Sequence, residues 1–145
     1  MGDQTCFYCT GEGPLNGLLT KILSLQNSTV YFFRDQKNPG RCVVACRGHY
    51  RELYEIPDRE RAAYLEEVCL VARAIANLYQ PDKVNYAIYG DLVPHVHFHV
   101  VPKYAGGVSW GKPFSDALPK IILDERETAS KIEELRREIL RLTEV

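Results

Sequence analysis

Three of the four histidines in the chain fall within five residues, in the run His95-Val96-His97-Phe98-His99-Val100-Val101. On a β-strand successive side chains point to opposite faces, so His95, His97 and His99 share one face while Val96, Phe98 and Val100 share the other. The apolar face belongs to a core. The imidazole face must open onto a cleft or a partner, because three buried imidazoles would demand several hydrogen-bond partners. Two chemistries suit this spacing: alternating histidines can ligate a metal ion, and a histidine can act as a nucleophile in phosphoryl chemistry. For the second task a neutral ring offers a lone pair without the negative charge that a phosphate repels.

A second pattern is Cys6-Phe7-Tyr8-Cys9. A thioredoxin-like redox pair needs a strand before it and a helix after it. Only five residues precede Cys6, and Thr10-Gly11-Glu12-Gly13-Pro14 is a poor helix opening. Read as half of a zinc site, the pair needs two further ligands. Cys42, Cys46 and Cys69 fall at core-like strand or helix positions and are expected as small buried hydrophobes. Five cysteines, an odd number, point to thiols or metal ligands and away from a disulfide framework.

The elements that must position these residues read as one α+β domain over residues 1–145. Residues 1–17 form an irregular lead-in, and Leu18 to Leu23 a short element of undecided type. Ser28–Phe33 is β-branched and aromatic, Arg34 to Gly40 contains the turn-forming Asn-Pro-Gly, and Arg41–Cys46 returns, which predicts a hairpin. A long helix opens at Asp58, read as its N-cap, and carries Leu65, Val68, Val71, Ala72, Ile75, Leu78 and Tyr79 at helical spacing until Pro81 stops it. Val84–Tyr89, a tight link from Gly90 to Pro94 and His95–Val101 predict a second antiparallel pair. After a glycine-rich stretch, a terminal helix over about 124–142 carries Ile132, Leu135 and Ile139.

At 145 residues the chain fits one domain that can bury roughly 70% of its extended surface. A net charge of −1 without a basic stripe speaks against a nucleic-acid partner. No apolar run reaches the roughly 20 residues that span a bilayer, and the polar start lacks a signal-peptide pattern, so no membrane partner and a cytoplasmic location are expected.

The stretch His95 to Val101 closely resembles the histidine triad motif, histidine alternating with apolar residues three times and closing on two of them, and Pro102-Lys103 continues in the same manner. The similarity extends to the glycine-led strand Gly40 to His49, the helix from Asp58 and the Val84–Tyr89 strand, roughly residues 6–104 in all. The short link from Asn85 through Gly90 to Pro94 looks more like a bacterial branch with hydrolase-type members. This resemblance implies the family's α+β fold, an antiparallel sheet with one long central helix and a C-terminal helix, in a homodimer. It also implies a nucleotide hydrolase or nucleotidyl transferase acting at the α-phosphate of dinucleoside polyphosphates, phosphoramidates or similar compounds. The middle histidine, His97, would be the nucleophile and carry a nucleotidyl-histidine intermediate, with His99 facing the phosphate oxygens and no catalytic metal required.

The same resemblance implies a structural zinc held by Cys6, Cys9, His49 and His95, and an acidic residue, Asp35, against the ribose hydroxyls. Asn85 or Asp91 is a candidate near the phosphate. Trp110 is a candidate to reach a ligand or a partner subunit, or else a buried structural tryptophan. Lys103 reads as a solvated charge. Two other functions remain open: a metal-dependent hydrolase that uses the three triad histidines as ligands, and a low-turnover nucleotide-binding adaptor.

Overall fold

A computed structural model of the chain describes residues 2–11 and 15–144. Two four-residue helices, α1 (Phe7–Thr10) and α2 (Leu15–Leu18), lead into β1 (Leu19–Ser24), the element left undecided by the sequence. There follow β2 (Ser28–Phe33), β3 (Cys42–Cys46), α3 (Asp58–Tyr79), β4 (Lys83–Ile88), β5 (His97–Lys103) and α4 (Glu125–Thr143). The five strands form one sheet in the order β1-β2-β3-β5-β4, antiparallel throughout. With its helices this is the expected α+β fold. The irregular lead-in expected over residues 1–17 is corrected where it is described, since it contains α1 and the start of α2; residues 1 and 12–14 lie outside the described residues.

Strand alternation sorts the sheet into two unlike faces. Val30 and Phe32, Cys42, Val44 and Cys46, and Val100 pack with Tyr64, Val68, Val71, Ile75, Leu135 and Ile139 in the main core under α3 and α4. The opposite face carries a smaller cluster of Leu19, Tyr31, Val43 and Ala45, joined by Phe7, Tyr8 and Phe33. In the β3–β5 ladder Ala45 stands opposite His97 and Val43 opposite His99, while β4 places Ala87 opposite His99. Small neighbours thus flank the imidazoles on the face that no long helix covers.

Local chemistry fixes the connections. Gly40 ends the β2–β3 turn at φ +93°, and a Cβ there would stand 3.0 Å from both the Tyr79 ring and Pro102, so the turn needs glycine twice over. Gln80 takes the left-handed position that closes α3, just before Pro81.

Several expectations are corrected. Pro57 occupies the N-cap of α3, so Asp58 is its first helical residue and pairs with Arg61 at 2.9 Å. Cys69 is exposed, because its place on α3 lies outside the stripe of Val68, Val71 and Ile75. Leu78 also faces outward. Lys103 is buried at 4% exposure and donates to the Lys112 carbonyl, since β5 runs on to it under the following loop. The strand itself begins at His97: His95 N–H turns back to the Val93 carbonyl at 2.8 Å, which delays the ladder by two residues. Among the described residues no helix is long and apolar enough to cross a membrane.

Candidate active site and metal cluster

His95 is almost fully buried and looks two ways. Its Nε2 lies 2.7 Å from the Cys46 carbonyl, which requires Nε2–H to donate and leaves Nδ1 as a lone pair. That Nδ1 lies 3.3 Å from Cys6 Sγ, 3.6 Å from Cys9 Sγ and 3.1 Å from His49 Nδ1, and Cys9 Sγ lies 3.2 Å from the same His49 nitrogen. All four donor atoms fall within 4.8 Å of one another. Tetrahedral zinc, with bonds of ~2.3 Å to sulfur and ~2.05 Å to nitrogen, places its ligand atoms roughly 3.3–3.8 Å apart. The two-sulfur, two-nitrogen set therefore suits zinc in ligand chemistry, and the four distances of 3.1–3.6 Å lie close to its spacing. Asp3 stands 3.8 Å from His49 Nε2, where a carboxylate can orient a ligating ring.

His97 is held by its own strand. Its Nδ1 lies 2.6 Å from the His95 carbonyl, so Nδ1–H donates and Nε2 keeps the lone pair. The Tyr8 ring packs over it with centroids 4.9 Å apart, and also over His95 at 5.3 Å. Tyr8 lies inside the Cys6–Cys9 segment, so the cluster that gathers the cysteines also sets this roof. Burial lowers the His97 pKa against the opposing effect of the His95 carbonyl.

His99 has a partner the sequence reading did not single out. Arg41, only 2% exposed, sends Nη2 to His99 Nδ1 at 3.0 Å and Nη1 to Asp116 Oδ1 at 2.7 Å. A guanidinium has no acceptor, so His99 Nδ1 must accept and the proton sits on Nε2. Burial, then Arg41 and His97, push the His99 pKa down to about 3 against the pull of Asp116. Strand parity carried a signal for Arg41: position 41 falls on the same face as Val43, which stands opposite His99. Nothing in the sequence marked Asp116, which arrives from a loop 75 residues away.

One cavity of about 420 Å³ is lined by Phe7, Tyr8, Phe33, Asp35, Arg41, His97, His99, Asp116 and Lys120, among others. It thus unites His97, His99 and Asp35. Asp35 is engaged within the chain: Oδ1 accepts from Lys37 N–H at 3.2 Å and Ile121 N–H at 3.0 Å, and Oδ2 pairs with Lys37 Nζ at 2.9 Å. Burial acts to raise its pKa, but these donors prevail and lower it. Asn85 and Trp110 line a different cleft together with Lys83, Lys103 and Lys112. Trp110 is 42% exposed, which corrects the reading of a buried structural tryptophan.

Comparison with known proteins agrees with this geometry. The HIT domain family model matches residues 20–106, more than half of the chain. An uncharacterized HIT-like protein of Methanocaldococcus jannaschii is 28% identical over 70% of this chain and 81% of its own length. An adenosine 5'-monophosphoramidase of Schizosaccharomyces pombe is 30% identical over 74% of this chain and 84% of its own. The crystal structure of a histidine triad protein from Bradyrhizobium japonicum superposes with a TM-score of 0.81 at 26% identity, covering 88% of this chain and 96% of that one. The fold, the histidine-bearing strand and these matches place the chain in the histidine triad family.

Proposed function

We propose that the protein is a nucleotide hydrolase or nucleotidyl transferase in which His97 attacks an α-phosphate and carries the nucleotidyl group. The observation that carries this reading is the bond from His97 Nδ1–H to the His95 carbonyl, which leaves Nε2 as a nucleophile in a cavity of small-molecule size. Attack forms a bond from Nε2 to phosphorus as the leaving group departs with its electron pair. The carbonyl of His95 then faces the N–H of a ring that has gained positive charge. His99 Nε2–H is the donor for a non-bridging phosphate oxygen as charge develops there. Water releases the nucleoside monophosphate, or another acceptor takes the group. The S. pombe relative's name, a monophosphoramidase, supports a substrate of this class.

Cys6, Cys9, His49 and His95 would hold a structural zinc. Through these ligands the N-terminal segment, with Phe7 and Tyr8, would be tied to the residues just after β3 and just before β5. Two contacts speak against the triad as a joint ligand set for a catalytic ion. His95 Nδ1 points to the cysteines, and the cationic Arg41 occupies His99 Nδ1. Three donors leave Asp35 one lone-pair site, on Oδ2, so accepting from both hydroxyls of a ribose requires Lys37 or Ile121 to yield another.

The expected assembly, a homodimer, is supported by β4, an edge strand that exposes Tyr86 and Ile88 and is followed by exposed Tyr89 and Leu92. Product analysis over diadenosine polyphosphates, adenosine phosphoramidates and nucleotide sugars tests the function. Release of AMP, with a nucleotidyl adduct trapped on His97, is the expected result. Saturable nucleotide binding without product would instead favour an adaptor.

A further inference from the structure

We propose that Arg41 is a positioning residue that locks His99 as the Nε2–H tautomer, with Asp116 as the countercharge that holds Arg41 in place. This rests on the reading of His99 as the donor to the reacting phosphate.

The guanidinium is built into the site. Its carbon lies over the Phe33 ring, 3.7 Å from the centroid, and over the Phe114 ring at 4.7 Å, so two aromatic rings help hold it. Among the described residues Nε is buried without an acceptor, and the terminal nitrogens make the polar contacts, one to His99 and one to Asp116. A buried cation needs a countercharge, and Asp116 supplies it from a side chain that is itself 66% exposed. The ring of His99 is thereby gripped at one edge by a group that can only donate.

The consequence is electrostatic as well as geometric. A positive charge on the Nδ1 side draws electron density from the ring and makes Nε2–H a stronger donor toward phosphate oxygen. Among the described residues, the other charged or titratable groups against His99 are His97, 5.2 Å away between ring centroids, and Tyr89 at 6.2 Å. Neither reaches Nδ1 with a hydrogen bond. Arg41 therefore decides the tautomer. His97 and His99, two residues apart, consequently present opposite faces of imidazole chemistry at their Nε2 atoms, a lone pair and a proton.

The test combines spectroscopy with a double-mutant cycle. In two-bond ¹H–¹⁵N spectra of zinc-loaded, histidine-labelled wild type at neutral pH, His99 should show an unprotonated Nδ1 and a protonated Nε2. In Arg41→Met the His99 signals should move toward a tautomer mixture, and kcat should fall about tenfold or more with KM changing less than about threefold. In a His99→Ala background, Arg41→Met should cost little more, because its effect passes through His99. The wild-type spectrum tests the assignment even if Arg41→Met does not fold. A wild-type His99 protonated on Nδ1, or additive losses in the double mutant, overturns the proposal. A wild type with the expected tautomer but no nucleotide turnover supports the Arg41 lock while sinking the function proposed for the site.

Discussion

The backbone carbonyl of His95 lies 2.6 Å from Nδ1 of His97, while the His95 side chain belongs to the four-donor cluster with Cys6, Cys9 and His49. One residue thus connects a metal-suited cluster to the proposed nucleophile. The cluster fixes where His95 stands, and its carbonyl then decides which nitrogen of His97 is free. Tyr8 adds a second connection, since it is carried by the cysteine segment and packs on both rings.

Purified protein is expected to contain close to one zinc per chain. Cys6→Ser should lose the metal and lower Tm by roughly 4–8 °C, as a loss of ~2 kcal/mol implies for a chain of this length. Metal analysis and thermal melts check both. Native preparations without stoichiometric zinc would falsify the ligand assignment.

His97→Ala should abolish turnover while nucleotide binding persists, because the imidazole serves the reacting state. Rapid quench of wild type with a slow substrate should leave an acid-labile adduct on His97. His99→Ala should retain more activity, losing on the order of 3 kcal/mol of transition-state stabilisation. Near-normal turnover in His97→Ala removes the nucleophile from this residue.

Acid should destabilise the protein partly through His99. Its folded pKa of about 3 lies below the ~6.5 of an unfolded histidine, so the unfolded chain binds the proton first as pH falls. The stability it contributes is fully present above pH ~6.5 and is lost progressively toward pH 3. Urea midpoints for wild type and His99→Asn should therefore diverge less at pH 5 than at pH 7. A constant difference across that range rules the contribution out. Loss of zinc in acid affects both proteins and cancels in the comparison.

Thiol reagents should find one fast site in the zinc-loaded protein. Cys69 is exposed, whereas Cys42 and Cys46 are buried and burial pushes their pKa values up to about 12 and about 11. Cys69→Ser should remove the fast phase. Its persistence would mean that another cysteine is accessible.

Light scattering at working concentrations should report a dimer, and Tyr86→Glu on the exposed edge strand should shift it toward monomer. A monomeric wild type counts against the assembly.

Much of this protein was written locally. Alternation in Val96, Phe98 and Val100 assigned the core face of β5 and hence the face of the histidines, because strand geometry has a period of two. The 3.6-residue stripes of α3 and α4 were legible for the same kind of reason, although Cys69 and Leu78 show that the edge of a stripe depends on how far the sheet extends beneath it. The family motif brought Cys6, Cys9, His49 and His95 together across 89 residues before any fold was in view. Tertiary structure decided what sequence distance concealed. Arg41 and Asp116 are separated by 75 residues, and only the loop after β5 brings the carboxylate to the guanidinium. The same loop returns to engage Asp35 through Ile121, and β4 carries Asn85 to a cleft away from His97. A histidine's place on a strand follows from its own neighbours, but its tautomer follows from what lies within hydrogen-bond reach. For His99 that partner is set by the packing of β3 against β5.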